Sequence, residues 1–142
     1  MYFQYTTKET DYLSQKDKWL GEAIQKIGPI QREVDTDLFS SVVHHIIGQQ
    51  ISTKAQATIW QRMRETLDTV DAEHILSAGV PQLQKLGMTF RKAEYITDFS
   101  QKVQSGEFDL EGIEQKSDDE TIRELSNLKG IGVWTAEMIL LF

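Results

Sequence analysis

Apolar residues return every three or four positions along almost the whole chain, and only Pro29 and Pro81 interrupt the pattern. Such spacing lays one face of each segment against a core at the helical repeat, whereas strands alternate with period two. The pattern predicts an all-α fold. Leu13, Leu20, Ala23, Ile24 and Ile27 form one stripe, read as a single helix that opens near Thr10 or Asp11 and stops at Gly28-Pro29. A second helix follows Asp37 and ends at Gly48. Ser52 caps a third whose inner face holds Ala55, Ile59, Trp60, Met63 and Leu67. Residues 71–79 and 81–87 read as two short helices, the latter with proline just inside its start and glycine just past its end. Thr89 opens a longer one closed by Gly106. After a loosely patterned acidic stretch, Ser117 and Glu120 have the spacing of a capping box, which puts Ile122, Leu125 and Leu128 on one face. Residues 133–142 are apolar enough to be a central buried helix. The result is a partial bundle of about eight helices. No repeat, low-complexity tract or linker divides it, so residues 1–142 read as a single domain.

Charge and composition narrow the function. The net charge is −7, made of −2 over residues 1–51, +1 over 52–104 and −6 over 105–142. This argues against indiscriminate binding to nucleic acid, because phosphate contacts follow local positive potential. Any contact with DNA is local, through backbone amides and a few chosen side chains. The chain has no cysteine, which rules out disulfides, a thiolate nucleophile and cysteine-ligated zinc or iron–sulfur clusters within these residues. No apolar run approaches the roughly 20 residues of a membrane span, and the first residues lack a basic region followed by an apolar stretch. A soluble, cytoplasmic protein without membrane association is expected. His44 and His45 are neighbours on a helix and diverge, so they do not make a metal site.

The segment Leu128-Lys-Gly-Ile-Gly132 joins the last two helices by a connection so short that they must pack as a hairpin. Its glycines are expected to adopt positive φ and leave their amides uncovered. The following helix begins with unpaired N–H groups and a positive dipole end, an arrangement suited to phosphate. Ile131 can turn inward and pin the turn to the core. The glycines alone are equally compatible with a tight turn that binds nothing.

The wider string, Leu125-Ser-Asn-Leu-Lys-Gly-Ile-Gly-Val-Trp-Thr-Ala-Glu-Met-Ile139, closely resembles the helix-hairpin-helix signature of the base-excision DNA glycosylase superfamily. Two further segments resemble its 3-methyladenine DNA glycosylase II branch: Ile47-Gly-Gln-Gln-Ile-Ser52, and Leu86-Gly-Met-Thr-Phe-Arg-Lys-Ala-Glu-Tyr-Ile96. The resemblance runs from about Leu38 to Phe142. It implies the helix-hairpin-helix glycosylase fold, with the hairpin over residues 117–142, and an enzyme of base-excision repair. Its substrate would be double-stranded DNA with alkylated bases, and no obligate protein partner is implied. The reaction would be hydrolysis of the N-glycosidic bond of alkylated purines such as 3-methyladenine.

The resemblance also assigns residues. An enzyme acting on a base inside a duplex must flip the nucleotide out and fill the gap. By resemblance the turn at residues 49–51 supplies the filler, Gln50 first and Ile51 second, with Gln49 beside them against DNA. The alternative is that Gln49 and Gln50 cap helix ends through their amides. Trp134 would present its indole to the flipped base, with Met138 where some relatives carry an aromatic. An alkylated, cationic purine over an indole gains ~0.5–2 kcal/mol over a neutral one. A core tryptophan is the rival reading. Relatives that also cut the strand carry a lysine at the place of Trp134, which has no amine, so a monofunctional hydrolase is implied. Lys129, Gly130, Gly132 and Thr135 are expected to hold phosphate. Lys54, Arg91 and Lys92 read equally well as phosphate contacts or as solvated surface charges. No cofactor is required. A sodium or potassium ion on the carbonyls of Ser126, Leu128 and Ile131, bridging to phosphate, is implied by resemblance.

The carboxylate that such chemistry needs follows the second hairpin helix in relatives, which is after Phe142 here. Asp118, Asp119 and Glu120 are better explained as a helix start complementing the dipole, and Glu137 lies within a helix. The chain is therefore read as incomplete at its C-terminus and inactive as it stands. Two other readings stay open: a non-catalytic helix-hairpin-helix DNA-binding module, and a scaffold with no nucleic-acid partner.

Overall fold

A computed structural model describes residues 1–141. Among these residues nine helices follow one another: α1 (Thr7–Lys16), α2 (Lys18–Ile27), α3 (Leu38–Gly48), α4 (Thr53–Leu67), α5 (Ala72–Lys85), α6 (Phe90–Ser105), α7 (Leu110–Ile113), α8 (Asp118–Ser126) and α9 (Val133–Leu141). The all-α expectation holds; the only strand-like pairing among the described residues is a bridge between Tyr2 and Glu33. The helices group into two compact units, residues 1–36 and 37–141.

The first unit departs from the sequence expectation. The stripe read as one helix is two, because Asp17 takes extended backbone (φ −139°, ψ 113°) and its carboxylate accepts from the N–H of Leu20, starting α2 afresh. A capping box between Thr6 and Glu9 starts α1 at Thr7, earlier than the apolar pattern suggested. Tyr5 ties the segment to Ile30 by accepting its N–H at 2.7 Å and donating to its carbonyl at 2.8 Å. The apolar stripe is not buried: Leu13 and Leu20 are exposed, and Ile27 is 69% exposed.

The second unit holds the core. Val42, Val43, Ile46 and Ile47 of α3 are fully buried together with Met63 of α4, Leu83 of α5 and Ile96 of α6. Phe39 stacks on Phe99 with centroids 5.1 Å apart, and Phe99 meets Phe108 edge-on at 5.5 Å. Each such aliphatic or aromatic side chain contributes roughly 1.5–3 kcal/mol on burial. The two short helices expected over residues 71–87 are the halves of α5, which breaks at Gly79 (φ 77°, ψ 166°) ahead of Pro81. Within the acidic stretch, Asp109 caps the single turn α7, which the sequence reading left unassigned, and Ile113 is buried beneath it.

Side-chain caps open α1 to α8: Thr6, Asp17, Asp37, Ser52, Asp71, Thr89, Asp109 and Ser117 each accept a first-turn N–H. Each cap is worth about 1 kcal/mol. The last helix, α9, is preceded by Gly132, which has no side chain to offer. Nor is α9 the central buried helix expected from its composition. Ala136 and Ile139 are buried, while Val133, Trp134, Leu140 and Leu141 are exposed. Phe142, part of that expectation, lies outside the described residues.

Candidate nucleic-acid interface

Two turns of the second unit carry the residues singled out in the sequence. The first joins α3 to α4. Gln49 ends α3 in extended backbone, and Gln50 then sits in the left-handed region at φ 57°, one of two non-glycine residues to do so among those described. For an L-residue that conformation costs roughly 1–2 kcal/mol. The strained residue is solvent-exposed, and Ile51 beside it is 37% exposed before Ser52 opens α4. A strained, exposed glutamine followed by a half-uncovered isoleucine projects from a rigid base.

Gln49 itself faces the other way. Its side-chain amide donates to the carbonyl of Gly130 at 2.5 Å, across 81 residues of chain. The side chain expected against DNA is therefore engaged inside the fold. Lys92 is likewise not a free surface cation. Its ammonium donates to the carbonyls of Ile47 at 2.8 Å and Gln49 at 2.6 Å, satisfying the last turn of α3, and its burial lowers its pKa from the ordinary lysine value.

The second turn joins α8 to α9. Leu128 and Ile131 are buried and anchor it, Ile131 turning inward as expected, and the N–H of Ile131 donates to the carbonyl of Leu128 at 3.1 Å. The two glycines differ. Gly130 adopts φ 83°, and a β-carbon there would run into the Tyr95 ring, so glycine is demanded twice over by the chain itself. Gly132 was expected to share the positive φ and does not, and no atom lies within 4 Å of where its β-carbon would be. Among the described residues no contact demands glycine at 132.

That open space lies at the start of α9. The first helical bond there is from Ala136 to the carbonyl of Gly132 at 3.0 Å, so the N–H groups of Val133 and Trp134 have no helical acceptor. They form the positive end of the helix dipole with no side-chain cap in competition. The Trp134 indole is 70% exposed beside them. Met138, one turn on, is half-buried. Thr135 is only 9% exposed. Lys129 is exposed and pairs with Asp98 at 3.1 Å.

The carbonyls of Ser126, Leu128 and Ile131 are neutral oxygen donors on this turn, of the kind that suits sodium or potassium. That of Leu128 already accepts from Ile131 and keeps a second lone pair. No group of His, Cys, Asp or Glu side chains arranged for a metal occurs among the described residues. None of their helices is long and apolar enough to cross a membrane. Sequence reasoning missed the supporting residues Tyr95 and Asp98. Their only sequence signal is that they follow Lys92 at three-residue steps on one face of α6.

The chain is similar to known proteins across this region. It is 25% identical over 143 residues to DNA-3-methyladenine glycosylase 1 of Schizosaccharomyces pombe, covering 96% of this chain and 63% of that protein. It is 26% identical over 117 residues to a DNA-3-methyladenine glycosylase of Bacillus subtilis, covering 74% of this chain and 39% of that protein. The chain thus spans between about two-fifths and two-thirds of these relatives. The crystal structure of a Bacillus halodurans DNA-3-methyladenine glycosidase superposes with a TM-score of 0.80 at 30% identity, over 100% of this chain and 66% of that one. The Schizosaccharomyces pombe 3-methyladenine DNA glycosylase bound to abasic DNA superposes at 0.85 and 25% identity, over 95% and 69%. The profile of the HhH-GPD superfamily base excision DNA repair protein matches residues 43–137, from α3 through the hairpin, and the chain belongs to that superfamily.

Proposed function

We propose that this chain carries the DNA-gripping and base-extruding part of a monofunctional DNA glycosylase that removes alkylated purines such as 3-methyladenine. The observation that carries the reading is the α8–α9 turn, where an unneeded glycine leaves open the uncapped start of α9 beside an exposed indole. Phosphate of one strand is held by the main-chain N–H groups of Val133 and Trp134, with Gly130 shaping the turn and Lys129 released from Asp98 to add charge. Close approach of a phosphate to the backbone is what glycine at 132 permits. The Trp134 indole then faces the extruded base. A cationic alkylpurine is favoured there by ~0.5–2 kcal/mol over a neutral one, which gives selection by charge.

Gln50, with Ile51 behind it, enters the minor groove and fills the gap left by the flipped nucleotide. The backbone at Gln50 is already held in the turn, so little main-chain freedom is lost when its side chain inserts. A sodium or potassium ion held by the carbonyls of Ser126, Leu128 and Ile131 would supply a further positive charge toward phosphate. Trp134 offers no amine, which supports hydrolysis over Schiff-base strand cleavage. A cytoplasmic setting belongs to this reading.

Two measurements test it. Residues 1–142 are expected to bind a duplex with an abasic site about tenfold or more tightly than an undamaged duplex, since only the first accepts the filler without unstacking a base. The full-length protein is expected to release free 3-methyladenine from methylated DNA without cutting the strand. Equal affinity for both duplexes together with no release would leave the non-catalytic DNA-binding module as the better reading.

A further inference from the structure

Three residues on one face of α6 reach the two turns described above. Lys92 holds the carbonyls of Ile47 and Gln49 at the end of α3, the Tyr95 ring fills the space where Gly130 has no β-carbon, and Asp98 pairs with Lys129. They are spaced i, i+3, i+6, so a single helix face supports both turns. Gln49 closes the figure from the opposite side, its backbone carbonyl held by Lys92 and its side-chain amide on the Gly130 carbonyl. Gln49, immediately before the strained Gln50, is therefore coupled directly to the glycine at the centre of the hairpin.

We infer that Gln49, seated on the Lys92–Tyr95 face of α6, is a positioning residue that fixes the separation between the gap-filling turn and the phosphate-binding turn. The inference rests on the reading above and adds to it a residue that touches no DNA. Its physical basis is geometric. Two contacts made by one rigid body on one duplex reinforce each other only if their separation matches the DNA, and a tether of one hydrogen bond plus one ring contact removes the freedom that would otherwise be lost on binding. A loosened tether spares each turn taken singly. It weakens only complexes in which both engage at once, as at an abasic site.

The test uses residues 1–142 with fluorescently labelled duplexes, one with an abasic-site analogue and one undamaged, after thermal melting has checked that each variant folds. Gln49→Met keeps the length and removes the donor. It is expected to lower the preference for the abasic-site duplex by about three- to tenfold, the range of one hydrogen bond, with affinity for undamaged DNA changed less than about twofold. Tyr95→Leu, which withdraws the ring from Gly130, is expected to do the same and decides the matter if Gln49→Met does not fold. On a Gln50→Ala background Gln49→Met is expected to cost nothing further, because the turn it positions has lost its filler. Unchanged preference in the folded variants, an equal fall for both duplexes, or a full additional loss on the Gln50→Ala background would each overturn the positioning role. A wild-type chain with no preference for the abasic site would overturn the proposed function as well, an outcome distinct from the others.

Discussion

The α3–α4 turn and the α8–α9 turn face the same proposed ligand with opposite means. The first presents a side chain, Gln50, at the cost of a left-handed backbone that glycine would adopt freely. The second presents main chain, where Gly132 carries no side chain to cover the start of α9. Filling a gap between bases needs volume at a fixed place, which only a side chain supplies, whereas gripping a phosphate needs N–H groups that a side chain would cover. Within the second turn the two glycines divide the work. Gly130 answers to the fold, and Gly132 is proposed to answer to the phosphate.

That division gives the largest expected effect. Gly130→Ala forces a β-carbon into the Tyr95 ring at positive φ, and is expected to destabilise the second unit by about 2–4 kcal/mol, read as a lower urea midpoint. An unchanged midpoint would break the distinction between the glycines. Gly132→Asp sharpens it in the other direction. Its carboxylate meets open space and can cap α9, so stability is expected to rise by a few tenths of a kcal/mol, while affinity for any duplex falls by about 10- to 100-fold as the carboxylate takes the amides meant for phosphate. Calorimetric melting and a binding titration on one preparation check both signs.

Gln50→Gly tests the first turn. Relief of the strained backbone offsets the extra entropy of glycine, so stability is expected to be unchanged or up to about 1 kcal/mol higher, while the preference for an abasic-site duplex is lost. A variant that keeps the preference would remove Gln50 from its proposed role.

The smallest effect lies away from both turns, at the α5 cap. The hydrogen bond from His74 to Asp71 raises the histidine pKa, and the backbone N–H of His74 lowers that of the aspartate. The stability this contributes from His74 is present below the ordinary histidine pKa and lost as pH rises through the raised one. That from Asp71 is present above the ordinary aspartate pKa and lost as pH falls through the lowered one. Titration followed by NMR is expected to show a raised His74 midpoint with DNA affinity unaffected by His74→Gln.

How much of this could be read from sequence follows the range of the interactions. Caps at Asp37, Ser52, Thr89 and Ser117 depend on groups within three residues, so they were legible and the helices start there. The break at Asp17 was hidden because the apolar stripe continues in phase across it, although the capping carboxylate was in view. The composition of α9 suggested burial all round, yet apolar content does not say which faces find partners, and Trp134 faces out. The Gln49–Gly130 bond spans 81 residues, and neither residue type nor spacing announces it. Local chemistry located the two turns; only tertiary packing shows that they are tied.

The central claim is that the start of α9 takes phosphate through its main chain. It is tested most directly by following the backbone amide resonances of the 142-residue chain as a short duplex with an abasic site is added. The signals of Gly132, Val133 and Trp134 are expected to move first and furthest, with the Trp134 indole N–H shifting alongside them. Saturating binding that leaves these signals in place while others move would contradict it.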